Sequence, residues 1–261
     1  MRESYVSGSF YKNDPDALKK QIKDLFGNQD FNRGDKEIKG AVIPHAGYFF
    51  SGKCMAKVYR EIAQAKFPDV YVIIGTNHNS YGTLINLDDW KTPFGIVKNY
   101  NIDLGLEKNN MKYEHSVEVQ IPFLQFISQD KIKDLRILPI VTNNFDKELV
   151  KKIDKIKNKV VIASSDFTHY GSNYGYVPFT QNVKENLYNL DKKAIDFILK
   201  LDTEGFLKYS ENKTICGKYA IAVTMELCKS KARAKFIDYY TSGDIINDYR
   251  NAVGYGGVVF V

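Results

Sequence analysis

Two hydrophobic rhythms take turns along this chain. Short, nearly unbroken apolar runs read as buried strands, and runs with apolar residues every three to four positions read as amphipathic helices. The first clear helix is "DPDALKKQIKDLFG", with Asp14 as N-cap and Pro15 in the first turn. Ala17, Leu18, Ile22, Leu25 and Phe26 share one face of it, and Gly27 ends it. "GAVI" (Gly40–Ile43) then reads as a strand, and "SGKCMAKVYREIAQA" as a helix capped at Ser51. "VYVIIG" is the next strand, and "FGIV" near Phe94 a further one with an edge or hairpin role. "SVEVQIPFLQFI" reads as a helix with a proline near its first turns. "RILPIV" and "VVIASS" are strands on either side of the helix "KELVKKIDKIKNK". Thr180 to Asp202 and "GKYAIAVTMELCK" read as helices, and "ARAKFIDYYT" and "GYGGVVFV" as closing strands. Strands alternating with helices predict an α/β fold, with a central mixed or parallel sheet covered by helices on both faces. No Pro/Gly/Ser-rich linker interrupts the pattern, so residues 1–261 are expected to form one domain.

Composition adds little to this but removes several function classes. The formal charge is +6, from 37 Lys+Arg against 31 Asp+Glu. The densest lysine run, Lys147 to Lys159, has Leu149, Val150, Ile153 and Ile156 on one helical stripe, so its lysines form a solvated face and no nucleic-acid partner is expected. No run approaches the ~20 apolar residues that span a bilayer, and "MRESYVSGSFYKNDPD" has no secretory apolar centre. Three scattered cysteines, Cys54, Cys216 and Cys228, give neither a disulfide framework nor a CxxC zinc motif. A cytoplasmic protein that does not engage a membrane is the expectation.

The candidate chemistry lies in the histidines, of which there are 4. His45 follows "GAVIP", His78 follows "VYVIIGTN", and His169 follows "VVIASSDFT". Each therefore sits just beyond the C-terminal end of a predicted strand, where open α/β sheets bind their ligands. If the strands are parallel neighbours, the imidazoles share one cleft. Each histidine alone reads more readily as a solvated loop residue or a backbone hydrogen-bond partner than as a ligand; the common placement favours a joint site. Asp166 lies three residues before His169, a spacing that orients an imidazole if the turn is helical and otherwise makes an Asx turn. His115 and Glu118 share a helix face in "YEHSVEVQIPFL"; they could ligate a metal, buttress a site or face its substrate, while Ser116 could simply cap the helix. No GxSxG, GxGxxG or GxxxxGK[ST] is present, which argues against a nucleophile elbow and a glycine-rich phosphate loop. Two histidines on two strand-end loops suit a metal, with a third ligand still to find.

Seven stretches in series then resemble one family. They are "VSGSFY", "IPHAGYFFSG", "IIGTNH", "EHSVEVQIPFL", "SSDFTHYG", "ICGKYAI" and "YYTSGD" followed by "VGYGG". Together they look like the Memo family, whose prokaryotic members are named for the AmmeMemoRadiSam system. That family is similar in fold to class III extradiol dioxygenases, which hold non-haem Fe(II) with two histidines and a carboxylate. The resemblance implies His45 and His78 as metal ligands, Cys216 in place of the carboxylate, and His169 with Asp166 as the acid/base pair. Cys216 precedes a predicted helix and sits near Lys218, and a helix N-terminus and a cation both favour thiolate. Thiolate is softer than carboxylate, so the implied metal is Fe(II) or copper. The family's aromatic element appears as Gly8–Tyr11 with Phe10, which together with Tyr48 and Tyr170 either lines the pocket or packs in the core. Two functions follow from the resemblance: a metal-dependent, dioxygenase-like oxidoreductase acting on an unknown small molecule, or a non-catalytic module whose cleft holds a peptide, a metal or a partner protein. The system name implies AMMECR1-like and radical SAM partners.

Overall fold

Each of the long apolar runs becomes a strand buried on both faces, as a sheet covered on two sides requires. The computed structural model describes residues 1–27 and 31–261. It begins with helix α1 (Pro15–Phe26), capped by the Asp14 carboxylate on the Ala17 N–H at 2.8 Å and closed by Gly27 at φ +71°. Strand β1 (Gly40–Ile43), helix α2 (Tyr48–Ala63) and strand β2 (Val70–Thr76) follow. Four short strands come next: β3 (Leu84–Ile85), β4 (Trp90–Thr92), β5 (Gly95–Asn99) and β6 (Glu107–Lys108). Helices α3 (His115–Glu118) and α4 (Ile121–Ile127) lead to β7 (Arg136–Thr142), α5 (Lys147–Asp154), β8 (Lys159–Ser164) and β9 (His169–Gly171). The chain continues through α6 (Val183–Leu199), α7 (Thr203–Ser210), α8 (Lys218–Cys228), β10 (Ala234–Thr241), α9 (Ser242–Ile246) and β11 (Asn251–Phe260).

The main path of the sheet runs β10-β11-β1-β8-β2-β7-β3-β6. Its centre, β1-β8-β2-β7, is parallel throughout, while β11 joins β1 and β10 antiparallel. The sheet is therefore mixed. Alternate residues of each central strand enter opposite apolar layers. Tyr71, Ile73, Val160 and Ile162 pack with α1, α2 and α4. Val70, Val72, Ile74, Val161 and Ala163 pack with α5, α6, α7 and α8. Fully buried side chains such as Ile73 and Ile162 contribute roughly 1.5–3 kcal/mol each. Among the described residues no helix is long and apolar enough to cross a membrane.

Three local differences from the sequence pattern have physical causes. Helix α2 starts at Tyr48 rather than Ser51, because the Phe10 carbonyl accepts the Tyr48 N–H at 2.8 Å and supplies the cap from elsewhere in the chain. The stretch "SVEVQIPFLQFI" is two helices, with Pro122 in the first turn of the second. The cap of α3 is Glu114, whose carboxylate accepts the Ser116 N–H at 2.8 Å, so Ser116 is inside the helix.

Candidate metal centre

Strands β1, β8 and β2 are adjacent and parallel, so their C-terminal ends form one rim. His45 lies two residues past β1, and His78 two residues past β2. The end of β8 is stitched to β1 by the Ser165 N–H on the Ile43 carbonyl at 2.9 Å. The third imidazole of the cluster comes from His115, the first residue of α3, and not from the loop after β8. His45, His78 and His115 each offer a ligand atom, all within 4.8 Å of one another. The His78 and His115 rings stack at 4.5 Å with 20° between planes, and His45 meets them edge-on at 5.5 and 5.3 Å. Cys216, one residue before the Gly217 cap of α8, brings its Sγ to 3.2 Å from His45 Nε2.

The hydrogen bonds behind the rings decide which nitrogen is available. The single hydroxyl hydrogen of Ser164 goes to the Ser116 carbonyl at 2.5 Å, and Gln120 Nε2 donates to the Ser164 hydroxyl oxygen at 2.8 Å. Ser164 is left as the acceptor for His45 Nδ1, at 3.2 Å, so Nδ1 carries the hydrogen and Nε2 faces Cys216. Gln120 is itself held by the Tyr59 hydroxyl on its Oε1 at 2.8 Å. His78 Nδ1 lies 2.9 Å from Glu114 Oε1, and a carboxylate only accepts, so Nδ1 carries a hydrogen and Nε2 is the atom a metal would take once its own proton is lost. This carboxylate–histidine arrangement orients metal-binding imidazoles and raises their basicity.

Charge is concentrated here. Burial opposes charge on His45, but the neighbouring Cys216 and Asp166 outweigh it and raise its pKa to about 9. Burial likewise opposes charge on His78, and hydrogen bonds with Cys216 and Glu114 raise it to about 10. The same contacts act in reverse on the partners. Burial would raise the Cys216 thiol, yet His45 and His78 draw it well below its usual range. Glu114 is drawn to about 2 by His78 against the effect of burial. Burial, then the charges of His45 and His78, lower His115 to about 4, which keeps it neutral and able to ligate. His45 is 2% exposed, while the His78 and His115 side chains are 29% and 26% exposed, so the cluster opens to solvent on their side.

The other residues anticipated from sequence lie as follows. The Asp166 carboxylate accepts the His45 backbone N–H at 2.8 Å and stands 4.0 Å from His45 Nε2. It serves His45 rather than orienting His169, because residues 165–168 are not helical. His169 is oriented instead by the Phe167 and Thr214 carbonyls, each 3.0 Å from Nδ1, which fixes the hydrogen there and leaves Nε2 free. Thr214 also bonds the His169 backbone on both sides, through the N–H at 3.0 Å and the carbonyl at 2.7 Å. Glu118 is turned from the cluster to the first residues of the chain, where Tyr11 and the Tyr5 and Val6 N–H groups donate to it. Phe10 packs on His115 at 5.2 Å. Tyr48 is in the core, its hydroxyl on the Val119 carbonyl at 2.7 Å, and the Tyr170 hydroxyl is on the Phe179 carbonyl at 2.6 Å. The Lys218 ammonium caps carbonyls of Ser210 and Glu211, so the cations that stabilise the thiolate are imidazoliums and not this lysine. Glu114, Ser164, Gln120 and Thr214 escaped the sequence reading. Only Glu114, beside His115, carried a signal that could have found it.

Fold and site together define an α/β protein that gathers imidazoles and a thiolate at the C-terminal rim of parallel strands. The chain matches the family model described as Memo-like protein over residues 2–259. A MEMO1 family protein of Methanosarcina acetivorans is 34% identical over 285 residues, spanning 99% of this chain and 98% of the relative. One from Pyrococcus furiosus is 33% identical over 289 residues, spanning 99% and 98%. The chain belongs to the Memo family. A crystal structure of an uncharacterized protein from Escherichia coli K12 overlaps 86% of this chain and 100% of its own, at TM-score 0.48 and 8% identity.

Proposed function

We propose that the rim is a redox metal centre, with His45, His78 and Cys216 holding Fe(II), His115 completing the donor set, and copper as the alternative ion. The observation that supports this most is the convergence of three imidazoles and a thiolate, with the Nδ1 atoms of His45 and His78 engaged from behind. Imidazole and thiolate together suit iron, copper and zinc, of which iron and copper carry redox chemistry, whereas an oxygen-only set would suit magnesium or calcium. When bound, the metal supplies one-electron redox chemistry and a position for a small ligand. The chain supplies the rest. Glu114 and Ser164 hold the two rings in their ligating tautomers. His169, fixed with its hydrogen on Nδ1, presents Nε2 as the atom that takes up and returns a proton.

The test is oxygen uptake by the iron-loaded protein with catechol-like compounds. Uptake by the wild type that disappears in His169→Ala, with metal content unchanged, is the expected result. Full metal loading without uptake for any such compound removes the oxidoreductase role and leaves a binding module. Failure to hold metal removes the whole reading.

A further inference from the structure

We infer that residues 2–11 are a positioning strap for the metal centre: the buried Arg2–Glu118 ion pair locks them in place, and they set His115 and the Glu114 carboxylate behind His78. The inference rests on the metal-centre reading above.

Arg2 is 4% exposed and Glu118 0%, unusual for charges and tolerable only if every polar group is met. They are met. The Arg2 guanidinium lies 4.3 Å over the Trp90 ring and bonds the Glu118 carboxylate through Nη1. Its Nη2 reaches the Glu114 carbonyl at 2.9 Å and the Lys112 carbonyl at 3.3 Å, and its Nε reaches the Met111 carbonyl at 3.3 Å. The fork therefore grips the turn before α3 and the carboxylate at the end of α3. Glu114 ends the first grip, and His115 lies between it and the second. Glu118 answers by accepting the Tyr5 N–H at 2.9 Å, the Val6 N–H at 3.0 Å and the Tyr11 hydroxyl at 2.7 Å.

The strap touches the site as well as its support. Phe10, next to Tyr11, lies against the His115 ring at 5.2 Å. Its carbonyl takes the Tyr48 N–H at 2.8 Å, three residues beyond His45. One segment thus indexes α3 against the start of α2, and with them two of the three clustered imidazoles. An apolar pair of similar volume could stabilise the fold as well as a buried ion pair does. What it could not do is hydrogen-bond three carbonyls of the 111–114 turn at once. Lysine could not either, being a point charge without the fork.

The experiment titrates the full chain anaerobically with Fe(II) against a chromophoric chelator, and separately records thermal midpoints without metal. Arg2→Lys and Glu118→Gln are expected to weaken metal binding about 10- to 100-fold, as loss of groups supporting metal ligands does. Phe206→Ala, in the apolar layer on the opposite face of the sheet, is expected to lower the midpoint and leave the affinity unchanged. Variants of Arg2 and Glu118 that lower the midpoint but bind metal like wild type overturn the strap's positioning role. Should either variant fail to fold, Tyr11→Phe removes one donor to Glu118 without changing charge; a several-fold loss of affinity supports the inference and an unchanged affinity overturns it. A wild type that binds no metal instead overturns the metal-centre reading itself.

Discussion

Replacing Glu114 by glutamine tests how far a carboxylate behind His78 controls the centre. The side chain is 4% exposed, with Oε1 2.9 Å from His78 Nδ1 and Oε2 2.9 Å from the His78 N–H. Burial opposes its charge, but His78 and the Ser116 and His78 N–H groups outweigh that and draw its pKa from 4.5 to about 2. At 1.36 kcal/mol per unit, the surroundings favour the carboxylate by about 3 kcal/mol. Because the folded pKa is depressed, this stabilisation is present above pH ~4.5 and fades as pH falls towards ~2. In the metal-loaded protein only part of it bears on affinity, since His78 is then neutral. The expected loss in Glu114→Gln is about 10- to 100-fold in dissociation constant, or about 1.4–2.8 kcal/mol. Chelator competition under anaerobic conditions measures it, with circular dichroism confirming the fold. A Glu114→Gln protein that binds iron as tightly as wild type would refute the claim that the carboxylate charge makes the ring a better ligand, because glutamine can still accept the Nδ1 hydrogen but lacks that charge.

Other groups give sharper tests of the frame. Asp191 is fully buried between Thr168 and Tyr239, and burial outweighs their hydrogen bonds to raise its pKa to about 6. Its contribution is complete below pH ~3.8 and is lost as pH rises through ~6, so wild type should lose about 2 kcal/mol relative to Asp191→Asn between pH 4 and 7 in urea titrations; parallel profiles would contradict this. A Cβ on Gly75 would fall on the Ser116 hydroxyl, 3.1 Å from Ser116 Cβ and 3.2 Å from Val117 Cγ2. Gly75→Ala should therefore cost about 1–3 kcal/mol and weaken metal binding through the displaced α3, whereas a wild-type midpoint would deny that close approach. Brief iodoacetamide treatment of the metal-free protein at pH 7 should label Cys216 before Cys54 and Cys228, whose buried thiols are pushed up, Cys228 to about 12. Peptide mass spectrometry reading the reverse order would contradict the thiolate assignment.

The long elements were legible because their burial is regular. β1, β2, β7 and β8 are runs with a side chain for each face, and the lysine-rich α5 shows its stripe in Leu149 and Ile153. β3 and β6, at two residues each, are too short to carry a period, and β9 pairs only through its neighbour β11. The rim was legible from two histidines at parallel strand ends. His115 was harder, since its spacing to Glu118 pointed to a shared helix face. The two side chains instead divide between tasks, His115 at the cluster and Glu118 at Arg2. Asp166 misled for a similar reason. A three-residue spacing orients an imidazole only where the backbone is helical, and residues 165–168 are not helical. Contacts across long sequence separations, such as Ser164 with Ser116 or Arg2 with Glu114, leave no local pattern to read.

X-ray absorption at the iron edge of the anaerobically loaded protein reads the donor set itself. Imidazole nitrogens plus one sulfur around the metal are expected, with the sulfur contribution gone in Cys216→Ser and metal occupancy collapsing in His45→Ala or His78→Ala. A spectrum with light-atom ligands alone, unchanged by any of the three substitutions, would contradict this.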